Sequence, residues 1–373
     1  TLQNQPVPPC TVVDGRAMSD SPNFLTYAQT AFDPFEERPF CAVDSLVFAW
    51  LSYLRLPGDM AELTNWQGLD VRELLRAECY RDMIDDLWDP EGSRALLEAV
   101  AASPRYRGVH VCGYRAVSDV VATEQFAAMA FRFPVGFSYL SFRGTDSTIV
   151  GWKEDFNMSF LSPVPSQKDA VRYIDTTVQR SEGKLILGGH SKGGNLAVYA
   201  SVFARPSVKK RIITVYNNDG PGFDSNFVKH PDYLAILPRI KSIVPYCSVV
   251  GMLLNHDGDY EVVKSSQSGL MQHDSMSWQV IGPDFETEQD LSPKSKRLNT
   301  ALSAWIDGLT REQRAEFVDT LFSLVTASGA KNLSEISTVR FKNVNAVLKS
   351  FRKLDKSERA MILKIFASLT GEI

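Results

Sequence analysis

Ser191 sits at the centre of Gly189-His190-Ser191-Lys192-Gly193, a serine held between glycines at two-residue spacing. A serine hydroxyl attacks a carbonyl well only when a base takes its proton, and a sharp strand-to-helix corner exposes Oγ to base and substrate together. The chemistry implied is acyl transfer. The glycines suit such a corner because a Cβ at either position would meet the neighbouring strand or the first turn of the helix. Charge developing on a carbonyl oxygen would then face the first backbone N–H groups of that helix, including that of Lys192.

The base for such chemistry is histidine, whose neutral ring takes a proton near pH 7 and returns it to the leaving group. There are five candidates. His190 adjoins the serine, and its ring is expected to point away from the turn; His110 lies in a strand-like run, and His230 precedes a proline in a polar loop. His256 and His273 both follow the last expected sheet strand, and His273 is preferred. The carboxylate that would orient its ring is expected to be Asp219, in Asn218-Asp219-Gly220-Pro221-Gly222, at the strand end where open α/β sheets place their sites. Asp257 is the alternative acid, and Asp274 stands too close to His273 in sequence. Asp219 could instead merely organise the glycine-proline corner as an Asx-turn residue.

A second oxyanion donor is expected from Ser141-Phe142-Arg143-Gly144-Thr145-Asp146, where Thr145 offers its N–H and its hydroxyl. Arg143 would either brace this loop through a carboxylate or lie in solvent. The Lys192 side chain would either meet an acidic substrate or sit on the helix surface. Val249 to Leu254 would line an acyl pocket or simply pack in the core. Asn255-His256-Asp257-Gly258-Asp259 reads as a loop rather than a metal site, and no metal or cofactor is expected.

These residues need a scaffold, and the surrounding sequence describes one. Lys184 to His190 is an apolar strand, and Asn195 to Ala204 is compatible with a helix. Val109 to Asp119, Gln125 to Pro134 and Gly136 to Gly144 read as adjacent strands, while Arg211 to Asn217 and Arg239 to Tyr246 are short β-branched runs suited to buried parallel strands. Helices are expected at Ala42–Leu54, in a zone from Val71 to Ala101 broken at Pro90, at Ile149–Met158 and at Lys168–Val178. The fold class that follows is α/β, with a mostly parallel central sheet and helices on both faces. Beyond Arg297 the sequence reads as helices, with cap signals at Thr310 to Gln313 and Asp355 to Glu358.

The expected organisation is a flexible arm at 1–20, an α/β domain at 21–290 with a helical insertion near 67–105, and a helical module at 291–373 for support or homo-oligomer formation. The 373 residues can bury a large core, and 44% apolar with 23% charged residues is ordinary for a globular protein. A formal charge of −4 supplies no field for nucleic acid, and no basic aromatic groove is visible. No stretch approaches about 20 apolar residues, so no membrane span is expected. Five scattered cysteines without metal-ligand spacing, and a start lacking a basic-then-apolar segment, point to the cytoplasm.

Together, PFCAVDSLVFAWLSYL, SFRGTD, GGHSKGGNLAVYA, YNNDGPGF, IVPYCSVVGMLLNHDGDYEVV and GLMQHDSMSWQV resemble the bacterial Mbeg1-like family of α/β-hydrolases, related to the class 3 (fungal-type) lipases. The resemblance runs from about Asn23 to Val280. It implies an α/β-hydrolase fold and acyl transfer to water, with Ser191 as nucleophile, Thr145 as oxyanion donor, His273 as base and His256 in a structural role. It breaks at the acid. Those lipases carry Asp-x-Val-Pro where this chain has Ser242-Ile243-Val244-Pro245, so Asp219 or Asp257 would have to serve. The function expected is a serine esterase or lipase acting on a small-molecule or lipid ester. The alternative is a non-catalytic binding or scaffold protein that keeps the fold, a reading that gains if no carboxylate reaches His273.

Overall fold

The computed structural model describes residues 21–57, 60–146, 149–158, 161–178, 183–327, 355–356 and 359–360. The strands are β1 Leu69–Asp70, β2 His110–Asp119, β3 Glu124–Arg132, β4 Phe137–Phe142, β5 Lys184–His190, β6 Ile212–Asn218, β7 Ile240–Pro245, β8 Tyr260–Val263, β9 Val280–Ile281, β10 Asp284–Phe285 and β11 Thr287–Glu288. Among the described residues one sheet runs β1-β2-β3-β4-β5-β6-β7-β8-β11, and β9 pairs with β10 separately. β4 to β8 are parallel to one another. β1 to β3 extend the sheet on one side in antiparallel pairing, and β11 closes the other edge antiparallel to β8.

Successive side chains on a strand point to opposite faces, and the two sides of this sheet carry separate apolar cores. Tyr139, Ile186 and Tyr216 belong to one core with Phe24, Leu46, Phe48 and Leu97. Their neighbours Leu140, Leu187 and Val215 belong to the other, with Tyr173, Ile174, Leu196 and Ala197. The first layer is built from the helices Phe24–Thr30, Ala42–Leu51 and Pro90–Ala102. The second is built from Pro165–Thr177 and Lys192–Phe203. Because helices cover both faces, β5 is buried along all but its first residue. The architecture is that of an α/β-hydrolase-like fold with a C-terminal helical extension.

The first layer is pinned by a buried ion pair. Arg105 donates from Nε and Nη2 to the two carboxylate oxygens of Asp44, at 2.9 and 2.6 Å, and from Nη1 to the carbonyls of Asp33 and Arg38. Neither charged side chain is exposed.

The 71–101 zone departs from the expected pair of helices. Val71–Leu74 and Ala77–Cys79 are 3₁₀ turns, Tyr80–Ile84 is one short helix, and Pro90 begins rather than breaks a helix. The reason is local. Proline lacks only an N–H that the first helical turn cannot use, and the Asp89 carboxylate accepts from the Gly92 N–H at 3.0 Å to cap that turn.

The cap expected at Thr310 forms as a reciprocal pair, Thr310 N–H to Gln313 Oε1 and Gln313 N–H to Thr310 Oγ1, starting the helix Arg311–Ala327. It follows the helix Pro293–Asp307. The expected arm at 1–20 lies outside the described residues, as do most of the helices expected beyond residue 327, Glu358 of the expected Asp355 cap among them. Among the described residues no helix is long and apolar enough to cross a membrane.

Candidate active site

At the C-terminal ends of β5 and β6 the backbone turns sharply, and two non-glycine residues there hold positive φ: Ser191 at 57° and Asp219 at 52°. Each is tied to the adjacent strand end, Ser191 N–H to Asn218 O at 2.9 Å and Asp219 N–H to Ile243 O at 2.8 Å. Ser191 follows β5 and occupies the N-cap position of the helix Lys192–Phe203. A Cβ on Gly193 would lie 2.0 Å from the Phe142 carbonyl oxygen, and one on Gly189 would lie 2.4 Å from the same atom. The glycines therefore let the helix start touch the end of β4.

His273 bridges the two strained residues. It lies in the turn Gly269–His273 beyond β8. Its Nδ1 is 2.6 Å from Asp219 Oδ2, and its Nε2 is 2.9 Å from Ser191 Oγ. A carboxylate only accepts, so Nδ1 carries the ring hydrogen, and Nε2 of the neutral ring is left to accept the Ser191 hydroxyl. Asp219 is buried, and its other oxygen accepts from Ser248 Oγ at 2.6 Å and from Gly251 N–H at 3.1 Å. A chain of this kind can draw the proton from a serine hydroxyl as that oxygen forms a bond to carbon.

The other histidines are committed elsewhere. His190 Nε2–H donates to the His273 carbonyl at 2.9 Å, and its Nδ1 accepts from the Tyr53 hydroxyl at 3.1 Å. Burial holds its pKa well below the ordinary histidine value, which keeps the ring neutral. With its two nitrogens taken by Tyr53 and by the His273 carbonyl, the ring supports the main chain of His273. His110 Nδ1 lies 3.0 Å from the Gly108 carbonyl, and His230 Nδ1 accepts from Asp232 N–H to cap a short helix. His256 is pushed down to about 4 by burial. It lines a cavity of about 10 Å³ with Asn217 and Ser242.

Among the carboxylates, Asp257 is exposed, and its carbonyl accepts from the Tyr233 hydroxyl at 3.3 Å. Asp274 accepts from Met276 N–H and caps the turn Ser275–Ser277. The glycine-proline corner is organised by Asn217, whose Oδ1 accepts from Gly220 N–H at 3.0 Å, which leaves the Asp219 carboxylate free to face His273. The turn Val250–Met252 supplies a donor to Asp219 through Gly251.

Three expectations about the oxyanion side are corrected. The Thr145 hydroxyl donates to Asp155 Oδ2, so its hydrogen is spent, and the backbone N–H is what remains on offer. The Lys192 side chain is neither at the surface nor open to a substrate. It is 1% exposed, and its Nζ lies 3.0 Å from Glu154 Oε2 and 2.9 Å from Gln125 O. Arg143 is buried, and no carboxylate pairs with it among the described residues. Asp155 lies between Thr145 Oγ1 and Lys192 Nζ, the latter 3.9 Å from its Oδ1, and burial raises its pKa to about 6 against the pull of Lys192. Glu154, Asp155, Tyr53, Ser248 and Gln272 escaped the sequence reading. The adjacent acids nine and ten residues past Thr145 were the one local sign.

A family model described as Mbeg1-like matches residues 100–323, a stretch that begins later and ends later than the resemblance read from the motifs. Among solved structures, the crystal structure of M37 lipase is similar at 14% identity and a TM-score of 0.38, over 57% of this chain and 70% of that one. Among curated proteins none matches the chain.

Proposed function

The chain belongs to the Mbeg1-like family, and from that premise we propose that it is a serine hydrolase that cleaves carboxylic esters, lipid esters among them, through an acyl-enzyme on Ser191. Family and fold are consistent with a hydrolase of the α/β-hydrolase superfamily. One observation carries the finer reading: both ring nitrogens of His273 are within hydrogen-bond reach of partners of the right kind, at 2.6 Å to a buried carboxylate and 2.9 Å to the serine. That a carboxylate reaches His273 weighs against the non-catalytic scaffold.

In this reading Ser191 Oγ attacks the ester carbonyl while His273 Nε2 takes its proton. Asp219 holds the Nδ1–H tautomer and stabilises the imidazolium that forms. The backbone N–H groups of Lys192 and Thr145 face the oxygen that becomes negative, and losing one such donor costs on the order of 3 kcal/mol of transition-state stabilisation. The buried Lys192–Glu154 pair anchors the helix start, and Asp155 holds the Thr145 side chain beside it. His273 then gives its proton to the leaving alcohol. Water, activated by the same ring, releases the acid and restores Ser191.

A fluorophosphonate probe tests the reading directly. Labelling of the folded protein, lost in Ser191→Ala, supports it. Absence of labelling from mildly acidic to mildly alkaline pH overturns it. Nitrophenyl esters of increasing acyl length then define the acyl preference.

A further inference from the structure

The hydrogen bonds around Asp219 do not end at the sheet. Its Oδ1 is held by the Ser248 hydroxyl at 2.6 Å and by Gly251 N–H at 3.1 Å, in a place with almost no solvent. Ser248 is held in turn by the helix Pro293–Asp307. Its carbonyl accepts from Ser295 Oγ and, at 3.3 Å, from Asn299 Nδ2. Ser295 and Asn299 stand four residues apart on one helix face, bond each other at 3.2 Å, and are both buried although polar. The helix is docked at its start as well, since Ser292 N–H donates to the Tyr246 carbonyl at 2.8 Å and Ser292 Oγ caps Ser295. From the other side, Gln272, next to His273, accepts from Cys247 N–H at 2.7 Å.

We propose that Ser248 is a positioning residue for the acid and that the helix Pro293–Asp307 belongs to the catalytic unit, acting through Ser295 and Asn299 on Ser248. Asp219 is strained and buried, and its Oδ2 must face His273. With the Ser248 hydroxyl removed, Oδ1 keeps one donor, and no solvent stands ready to replace the other. The carboxylate then turns, and the Nδ1–H of His273 loses its aligned acceptor. The kinetic part of this inference rests on the proposed hydrolase activity. The Asp219–His273 geometry does not.

The test uses the full chain with two readouts, the rate of fluorophosphonate labelling and the downfield proton resonance of His273 Nδ1–H, assigned by its loss in His273→Ala. Ser248→Ala should slow labelling on the order of tenfold and displace or broaden the resonance. Ser248→Thr, which keeps a hydroxyl, should regain both. Asn299→Ala should move both in the same direction by less. Thr300→Ala, at an exposed position of the same helix, should move neither. If Ser248→Ala does not fold, Asn299→Ala decides by the same readouts. A parent that is not labelled but whose resonance moves in Ser248→Ala would sink the hydrolase reading and keep the brace. Unchanged rate and resonance in Ser248→Ala and Asn299→Ala would overturn the brace, as would equal losses in Thr300→Ala.

Discussion

Asp219 and Ser191 both hold a backbone conformation that costs a non-glycine residue about 1–3 kcal/mol, and such strain persists only where the surroundings over-determine it. Here the surroundings are neighbouring strand ends, which is why the two side chains converge on one ring. Asp219→Asn should therefore lower fluorophosphonate labelling by roughly 10⁴ with the fold retained, because the amide can no longer hold the Nδ1–H tautomer. Asp257→Asn should leave the rate unchanged, and a large loss there with Asp219→Asn near the parent rate would move the acid to Asp257. His256 gives a separate prediction about stability. Burial pushes its pKa down from 6.5 to about 4, so below 6.5 the unfolded chain takes a proton that the folded one refuses. Stability is then lost as pH falls from about 6.5 toward 4, at roughly 1.4 kcal/mol per pH unit. Asp155 and Asp274, both raised to about 6 by burial, act oppositely and gain stability as pH falls through that value. The parent should lose more stability than His256→Gln between about pH 7 and pH 5, by about 1–2 kcal/mol in urea titrations. Equal losses would show that His256 is not held neutral.

The strand, turn and helix around Ser191 form the element most legible in the sequence, because apolar run, paired glycines and helix-forming stretch are all local. Gly193→Ala should destabilise the protein by roughly 3 kcal/mol in chemical denaturation, since its Cβ would lie 2.0 Å from a backbone oxygen that cannot move without β4. A near-neutral effect would mean that the helix start can shift away from the sheet. Other elements were less legible for identifiable reasons. The Lys192 side chain reads as a helix-surface residue until Glu154, 38 residues away, is brought against it. The 71–101 zone carries helical spacing too brief to sustain more than 3₁₀ turns and the one short helix Tyr80–Ile84 before Asp89 caps the next helix. The Thr310 cap was readable because its partner lies three residues on.

At the scale of the molecule, the sheet holds the site at its C-terminal edge while two helical layers keep the strands in register. The Asp44–Arg105 pair joins the helix Ala42–Leu51 to the segment after Pro90–Ala102 with no solvent contact. Removing one partner leaves a buried charge uncompensated, and Arg105→Met should cost about 3–5 kcal/mol, read from the denaturation midpoint. A loss under about 1 kcal/mol would show that water reaches Asp44.

Residue types and their local spacing were enough to mark the serine at its corner, the alternation of strands and helices, and a short list of histidines and acids. Each of these is written in neighbours a few residues apart, whose sterics and periodicity act locally. Which members of that list meet is set by the folded chain. His273 lies 54 residues from Asp219 and 82 from Ser191, and the donors that hold Asp219 come from Ser248 and Gly251 beyond the next strand. Such partnerships depend on how loops close over the sheet edge and on which buried polar atoms must be satisfied there, and no local propensity encodes either.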